Sequence, residues 1–389
     1  MIIRKQNMIK KIFLYLVSIF IINLQGGVKK EIRRELSRGM VNRAENVQYE
    51  LDRRIERHKI GKKYIKNIIQ SARNNIQDYY NYTVKSISTK IQGNNHRTKI
   101  IFNINHISSL QEDHYVFQKV KKITDRINNQ GLNPHLREKT VNDYLVKNLD
   151  YDETLEHESP YNALKKGETT CRGYALLTNL LLEEVGIRNK IVIGKLKENN
   201  ESHAWNLAEI EGKWFHLDVT QNDAGSRSIN ENYTYDWYNL SDKEMRNTHS
   251  WNNRNYPGAR SNYYKVLNNR KADFGSQERY KNLIKELELH FLQDKFTIVT
   301  RKKLSLRLNW TLHRRQKSIS FRTSNNFISL SKIKNTLRSL YQKNDKLSST
   351  AQINKIKLRK RNYSRDKYKN TVIAKIHFYY SAPQKTNIQ

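Results

Sequence analysis

An α+β fold, with one apolar helix facing an antiparallel sheet, is predicted by three features of the chain. The stretch Thr170 to Gly186 carries Ala175, Leu176, Leu180, Leu181 and Leu182 on a broad apolar face and ends at a glycine suited to stop a helix. Short strand-like runs follow at Lys190 to Leu196, His203 to Ile210 and Trp214 to Val219, the last two joined around Glu211 and Gly212. A candidate hairpin precedes them: Tyr82 and Val84 alternate with Thr83 and Lys85, and Ile100, Phe102 and Ile104 follow a turn at Gly93-Asn94-Asn95.

Between hairpin and apolar helix, Val116, Val120, Ile123 and Ile127 recur at helical spacing, and so do Val141, Leu145 and Leu149 beyond Gly131 and Pro134. Two further helices with a short loop are expected there. Residues 28–79 are charged and helix-permissive, and Glu31, Arg34, Glu35, Glu50, Arg53 and Arg54 predict a solvated helix with no core role. The first 27 residues read as an export signal or an uncleaved anchor, with Arg4, Lys5, Lys10 and Lys11 before an apolar run from Ile12 to Leu24. No A-x-A cleavage site is visible, and Lys29, Lys30, Arg33 and Arg34 come directly after. An extracytoplasmic chain, secreted or anchored at the cell surface, is the expectation.

The composition, 37% hydrophobic with 10% aromatic residues over 389, is that of a folded chain with a real core. Lys and Arg number 72 against 37 acidic residues, and the net charge of +35 implies attraction to polyanions, although an AT-rich coding sequence yields the same Lys and Asn enrichment without selection for binding. More than half of the excess lies at the carboxyl end, where residues 301–389 hold 23 Lys plus Arg against 2 Asp, net +21. Strand-like alternation at Leu304, Leu306 and Leu308, and again at Val372, Ala374 and Ile376, predicts a folded basic module over 269–389. Within it the run Lys355 to Arg361 is a candidate phosphate-binding face or a solvated one. Helix-turn-helix, zinc and RRM signatures are absent, and with the export signal this argues against nucleic acid as partner. An anionic cell-surface polymer or membrane surface remains.

One cysteine excludes an intramolecular disulfide and a multi-cysteine zinc site, so Cys171 is either packing or chemistry. It falls in the first turn of the apolar helix. A thiol attacks only as thiolate, which the unpaired amides and macrodipole of a helix amino terminus favour. An imidazole can pair with that thiolate and later protonate a leaving amine, and a carboxylate can hold the imidazole in the right tautomer. His203 and Asp218 are the candidates for base and orienter. With an even-length turn at Glu211 and Gly212, Trp205 faces Asp218 and His203 lies one diagonal step away; an odd-length loop would separate them. Asn206 is the alternative orienter. His216 shares that face and reads as a packed strand residue more than as a rival base.

The residues Y-N-A-L-K-K-G-E-T-T-C-R-G-Y-A from Tyr161 to Ala175 resemble the nucleophile segment of bacterial transglutaminase-like proteins. Val141 to Asp152 resembles the helix before it, His203 to Thr220 the His and Asp strands, and Tyr238 to Met245 with His249-Ser250-Trp251 the loop after those strands. The resemblance covers about residues 80–260, which sets a transglutaminase-like domain at 80–268. It implies a papain-like core with the order Cys171, His203, Asp218, and a thioester cycle on amide bonds of a protein or peptide. Transamidation, proteolysis and amidase work all fall within it. The Cys171 amide would be one oxyanion donor. Tyr174, Trp205 and Trp251 are candidate substrate contacts, and no metal or organic cofactor is implied. The chain departs from the pattern at Asn142 and at Gln221, Asn222 and Asp223, positions that bear on the substrate cleft. The competing reading is an inactive module of the same fold that binds an anionic polymer.

Overall fold

The computed structural model describes residues 27–380 apart from 53–59, 94–96, 224–234, 271–274, 293–297, 299, 314, 315, 317, 325–329, 343–350 and 361–370. The export signal or anchor expected at residues 1–27 therefore lies, but for Gly27, outside the described residues. The chain divides into two compact units, one built from residues up to 193 with 203–210, the other from 194–202, 211–223 and the residues from 235 onward.

The first unit begins with helix α1 (27–41), strand β1 (Asn46–Asp52), helices α2 (Lys62–Arg73) and α3 (Asp78–Thr83) and the hairpin β2 (Val84–Gly93) and β3 (Arg97–His106). The expected hairpin strands pair, although Tyr82 and Thr83, expected in the first strand, belong to α3, and Asn94 and Asn95 of the expected turn lie outside the described residues; β1 extends the pair to an antiparallel sheet in the order β1-β3-β2. Its central strand buries Ile100, Phe102 and Ile104 and turns Lys99, Asn103 and Asn105 to the exposed side, the period of two that alternation dictates. The solvated helix with no core role expected over 28–79 is overturned. Ile32, Leu36 and Met40, four residues apart along α1, join Leu51, Ile65, Ile68 and Ala72 in one core with the sheet. The abundant charges there are the outer face of a two-faced helix, and they mask a sparse inner stripe.

Arg43 locks this layer to the helix that comes after the hairpin, α4 (Leu110–Asn128). With φ at +57° it turns its buried guanidinium onto Asp113 at 2.5 Å, and Asp113 also accepts from Tyr79 and Ser108, each at 2.8 Å. Burial pushes the Tyr79 phenol far up, so it keeps the proton that it donates to Asp113.

Helices α4 and α5 (Pro134–Asn148) are the two expected from the spacing. Ser109 and Glu112 close a reciprocal capping box on α4, and Asn133 caps α5 ahead of a first-turn proline. After the two-residue strand β4 (Asp150–Tyr151) comes α6 (Pro160–Lys166), which Gly167 ends at φ +78°, and β5 (Glu168–Thr169) pairs with β4 in parallel. Helix α7 (Cys171–Glu184) packs against α3, α4, α5 and α6, with Leu176, Leu177, Leu181 and Leu182 buried. Strands β6 (Asn189–Leu196) and β7 (Ser202–Ile210) follow. The side chain of Asn206 donates to the Ala175 carbonyl of α7 at 3.0 Å, tying helix to strand. The mixed helical and antiparallel architecture expected from the sequence is the one observed.

In the second unit, β8 (Lys213–Leu217) enters through Glu211 and Gly212, whose φ values of +51° and +74° define a two-residue turn of the hairpin type. The even-length turn is thus the one formed. The strand stops at Leu217, two residues earlier than expected, because Asp218 instead caps the short helix α8 (Val219–Asn222). Helix α9 (Asp242–Met245) leads to strand β9 (His249–Trp251), which pairs with the end of β6 as Leu196↔His249 and Gly194↔Trp251. Helices α10 (Tyr263–Arg270) and α11 (Gln277–Glu286) precede the basic region.

That region folds as α12 (Arg301–His313), β10 (Ser318–Ser324), α13 (Leu330–Gln342), β11 (Ala351–Lys360) and β12 (Thr371–Tyr380), with an antiparallel sheet in the order β10-β12-β11. The strand expected at Leu304, Leu306 and Leu308 is a helix. Leu304, Leu308 and Leu312 form its buried stripe at four-residue spacing, and Leu306 is 61% exposed. The alternation at Val372, Ala374 and Ile376 does mark a strand, and Ala374, Ile376 and Phe378 close a core with Ile319, Phe321 and Ile333.

Candidate functional site

Cys171 is the first residue of α7 and its side chain is partly exposed. The thiol sits there because Thr170 is in extended conformation and the helix starts after it. Thr170 makes no side-chain cap, and its buried hydroxyl has no hydrogen-bond partner among the described residues. The first-turn amides of α7 are therefore not consumed by the residue type that ordinarily satisfies them.

The approach to Cys171 is tightly held. Thr169 donates its hydroxyl to the His157 carbonyl at 2.6 Å, and the Thr170 amide donates to the same carbonyl at 2.9 Å. The loop carrying His157 folds around Asp152, whose carboxylate accepts from the Thr154 hydroxyl (2.6 Å), the Thr154 amide (2.9 Å) and the His157 amide (2.7 Å). Burial raises the Asp152 carboxyl, but these hydrogen bonds and the His157 ring outweigh it and bring the group down to about 2. Arg172 secures the next position, donating to the Tyr82 carbonyl (3.0 and 2.8 Å), the Val84 carbonyl (3.1 Å) and Glu158 (2.8 Å). Gly173 allows the close approach: a Cβ there would stand 1.8 Å from the Thr169 hydroxyl oxygen.

His203, the second residue of β7, is buried and stacks on Trp205 with ring centroids 5.9 Å apart and planes 21° from parallel. Asn206 differs from His203 by an odd number of positions and so lies on the opposite strand face. Its amide is committed to Ala175, and this removes Asn206 as the orienter of that ring. Of the candidate substrate contacts, Tyr174 and Trp205 are each only 1% exposed and act as core, because an enclosed ring offers no face to a substrate. Trp251 alone of the three keeps partial exposure, with the Arg246 guanidinium 4.9 Å from its ring centre.

In the second unit Asp218 is fully buried. One carboxylate oxygen accepts the Gln221 amide at 3.1 Å as the cap of α8, and the other meets His249 Nε2 at 3.0 Å. Sequence reasoning assigns His249 no role, only a place in the triplet ending at Trp251. A buried histidine–carboxylate pair 31 residues apart has no local pattern by which to be found. His216 is also buried and pairs with Asp242 at 2.9 Å, its ring centre 4.6 Å from that of Trp251. Burial holds its imidazole below the ordinary range despite Asp242, in keeping with a strand residue packed in the interior. Asn222, one of the departures from the expected pattern, accepts the Trp237 amide at 3.0 Å and is structural.

Residues 121–219 match the model of the Transglutaminase-like superfamily core, so the chain carries a transglutaminase-like domain there. The matched segment contains Cys171, His203 and Asp218. None of the curated proteins compared with the chain matches it. Among solved structures it is similar to a candidate cysteine protease from Cytophaga hutchinsonii, at 13% identity over 35% of this chain and 62% of that one, with a TM-score of 0.25. It is similar also to a TGase, at 10% identity over 55% of this chain and 56% of that one (TM-score 0.27). A third is EGTA-treated LapG of Legionella pneumophila, at 15% identity over 26% and 70% of the two chains (TM-score 0.22). The chain thus spans less than two thirds of the length of the first two.

Proposed function

We propose that the protein is a thiol acyltransferase or amidase in which Cys171 attacks an amide carbonyl, His203 moves the proton and Asp218 orients His203. The observation that carries this reading is the position of the chain's sole thiol. It is partly exposed at the first residue of a buried helix whose cap leaves the first-turn amides unused, inside the segment that matches the family. Those amides, the Cys171 N–H first, are suited to receive the oxyanion that forms as the thiolate adds to the carbonyl. Collapse of that intermediate breaks the C–N bond, the His203 imidazolium gives its proton to the departing amine, and a thioester remains on Cys171. An amine or water, deprotonated by His203, then attacks the thioester and restores the thiol. Amine as acceptor makes a transamidase and water a peptidase or amidase.

The substrate in this reading is a protein or peptide amide met outside the cytoplasm, and the basic region from 269 holds the enzyme on an anionic cell-surface polymer or membrane surface. Among the described residues no helix is long and apolar enough to cross a membrane. The deciding experiment is alkylation of the thiol against pH in the wild type and His203→Ala. Rapid modification down to about pH 5 that the variant loses supports the paired thiolate, whereas slow labelling centred near 8.5 in both refutes it. Trapping of an acyl group on the wild type by hydroxylamine, absent from Cys171→Ala, then identifies the donor.

A further inference from the structure

Asp218 is held from two directions by elements of the second unit. The Gln221 amide, in the first turn of α8, fixes one oxygen, and His249 at the head of β9 fixes the other. Both side chains of the Asp218–His249 pair have zero exposure, so water does not compete for either. An ionised carboxylate can only accept, which places the proton of the His249 ring on Nε2. In the neutral ring Nδ1 is then the acceptor, and the Thr248 hydroxyl lies 2.8 Å from it as donor. The Thr248 oxygen in turn receives the Trp237 indole N–H at 3.4 Å.

The result is a hydrogen-bond chain with one direction, from Trp237 through Thr248 and His249 to Asp218. Its members are anchored by backbone as well. His249 is paired with Leu196 in the sheet, the Lys197 amide donates to the Thr248 carbonyl at 2.8 Å, and the Asp218 amide donates to the Trp237 carbonyl at 3.0 Å. A single hydrogen bond leaves a carboxylate free to rotate about its Cβ–Cγ bond; two, on different oxygens and from different elements, set its plane. His216, which pairs with Asp242, lies close enough to His249 for that ring to join burial in lowering its imidazole.

We propose that His249 is a positioning residue, which sets the plane of the Asp218 carboxylate so that Asp218 presents a fixed acceptor to the catalytic imidazole. The inference rests on the role given to Asp218 above. A histidine serves better than a packed apolar residue here because it donates to the carboxylate at one end while Thr248 dictates its tautomer at the other, the arrangement by which outer partners orient functional groups.

The test is the pH–rate profile of Cys171 alkylation by iodoacetamide in the full chain, for wild type, His203→Ala, His249→Phe, His249→Gln and Thr248→Val, with thermal unfolding of each as the control for folding. Loss of the positioned carboxylate weakens the imidazolium that partners the thiolate. His249→Phe is expected to move the acid limb upward by about one pH unit, about a tenfold slower reaction near pH 6, with no change above the pH at which any thiol ionises. Thr248→Val, nearly the same shape and lacking only the hydroxyl, is expected to move it in the same direction by less. His249→Gln, which keeps an N–H near the position of Nε2, is expected to recover most of the wild-type profile.

Folded His249→Phe and Thr248→Val proteins with the wild-type profile would overturn the proposal while leaving the His203 pairing intact. Should His249→Phe not fold, the Thr248→Val profile decides alone, and an unshifted limb there overturns it. A wild-type profile centred near 8.5 and indifferent to His203→Ala would remove both this inference and the functional reading beneath it.

Discussion

Replacing Gly173 with alanine puts a number on how tightly the segment around Cys171 is held. In an exposed helix the change would stabilise by about 1 kcal/mol through helix propensity. Here the new methyl would lie 1.8 Å from the Thr169 hydroxyl oxygen, 2.9 Å from its Cβ and 3.1 Å from its Cγ2. Rotation of the Thr169 side chain relieves the first contact only, because its two heavy substituents cannot both leave the two crowded positions. The approach to Cβ is set by backbone, so β5 or the first turn of α7 must shift, which puts the cost near the upper end of overpacking, about 3 kcal/mol. Displacing Thr169 also breaks its bond to the His157 carbonyl, for about 1 kcal/mol more. The net expectation is a loss of about 3 kcal/mol, read as a lowered urea midpoint at unchanged slope. Thr169→Ala alone should cost about 1 kcal/mol, and the double variant should be more stable than the two single effects predict by more than about 1 kcal/mol, since the residues are in contact. Cys171 alkylation should slow in Gly173→Ala and recover in part in the double variant. A Gly173→Ala protein as stable as wild type, or strictly additive single effects, would refute the close approach.

Charge supplies two further expectations. The Asp152 carboxyl titrates at about 2 in the folded chain against an ordinary 3.8. A lowered folded value contributes stability above the ordinary one that is lost as pH falls through the folded one, so the stability gap between wild type and Asp152→Asn should be full above about pH 4 and shrink between about pH 4 and about pH 2. Equilibrium unfolding at a series of pH values checks this, and a gap constant down to about pH 2 contradicts it. For the basic region, retention of the full chain on an anionic polymer resin should fall steeply as salt rises from about 0.1 to about 1 M, where the screening length drops from about 10 to about 3 Å. Retention insensitive to salt would remove the charge-based partner.

The Cys171 end of the candidate site is legible in the sequence because its signals are local. A helix that starts at Cys171, caps drawn from Ser109 and Asn133, a glycine at 167 and a two-residue turn at Glu211-Gly212 are each written within a few residues. The basic region is half legible: in Leu304, Leu306 and Leu308 three alternate leucines mimic a strand, and only the four-residue step to Leu312 reveals the helix. The amino-terminal layer misleads for a related reason. Ile32, Leu36 and Met40 are a narrow stripe among many charges, and the strand that completes their sheet pairs with residues far along the chain, as in Tyr49↔Ile100.

The residue hardest to find is His249, and its burial explains why. A polar group on a surface leaves its trace in composition or charge pattern, whereas a buried pair is defined by the partner that satisfies it, and that partner is chosen by the fold. Asp218 shows both sides of the distinction. As a helix cap it obeys a rule visible in Asp218 to Gln221, which is why the strand ends at Leu217. As the acceptor of His249 it obeys none that sequence spacing records. The same carboxylate therefore joins a local constraint, the cap of α8, to a distant one, the head of β9, and each bears on its plane. An enzyme that needs a carboxylate at a set angle gains from such double anchoring, because neither the α8 turn nor the β9 strand can move the group without breaking the bond that the other supplies.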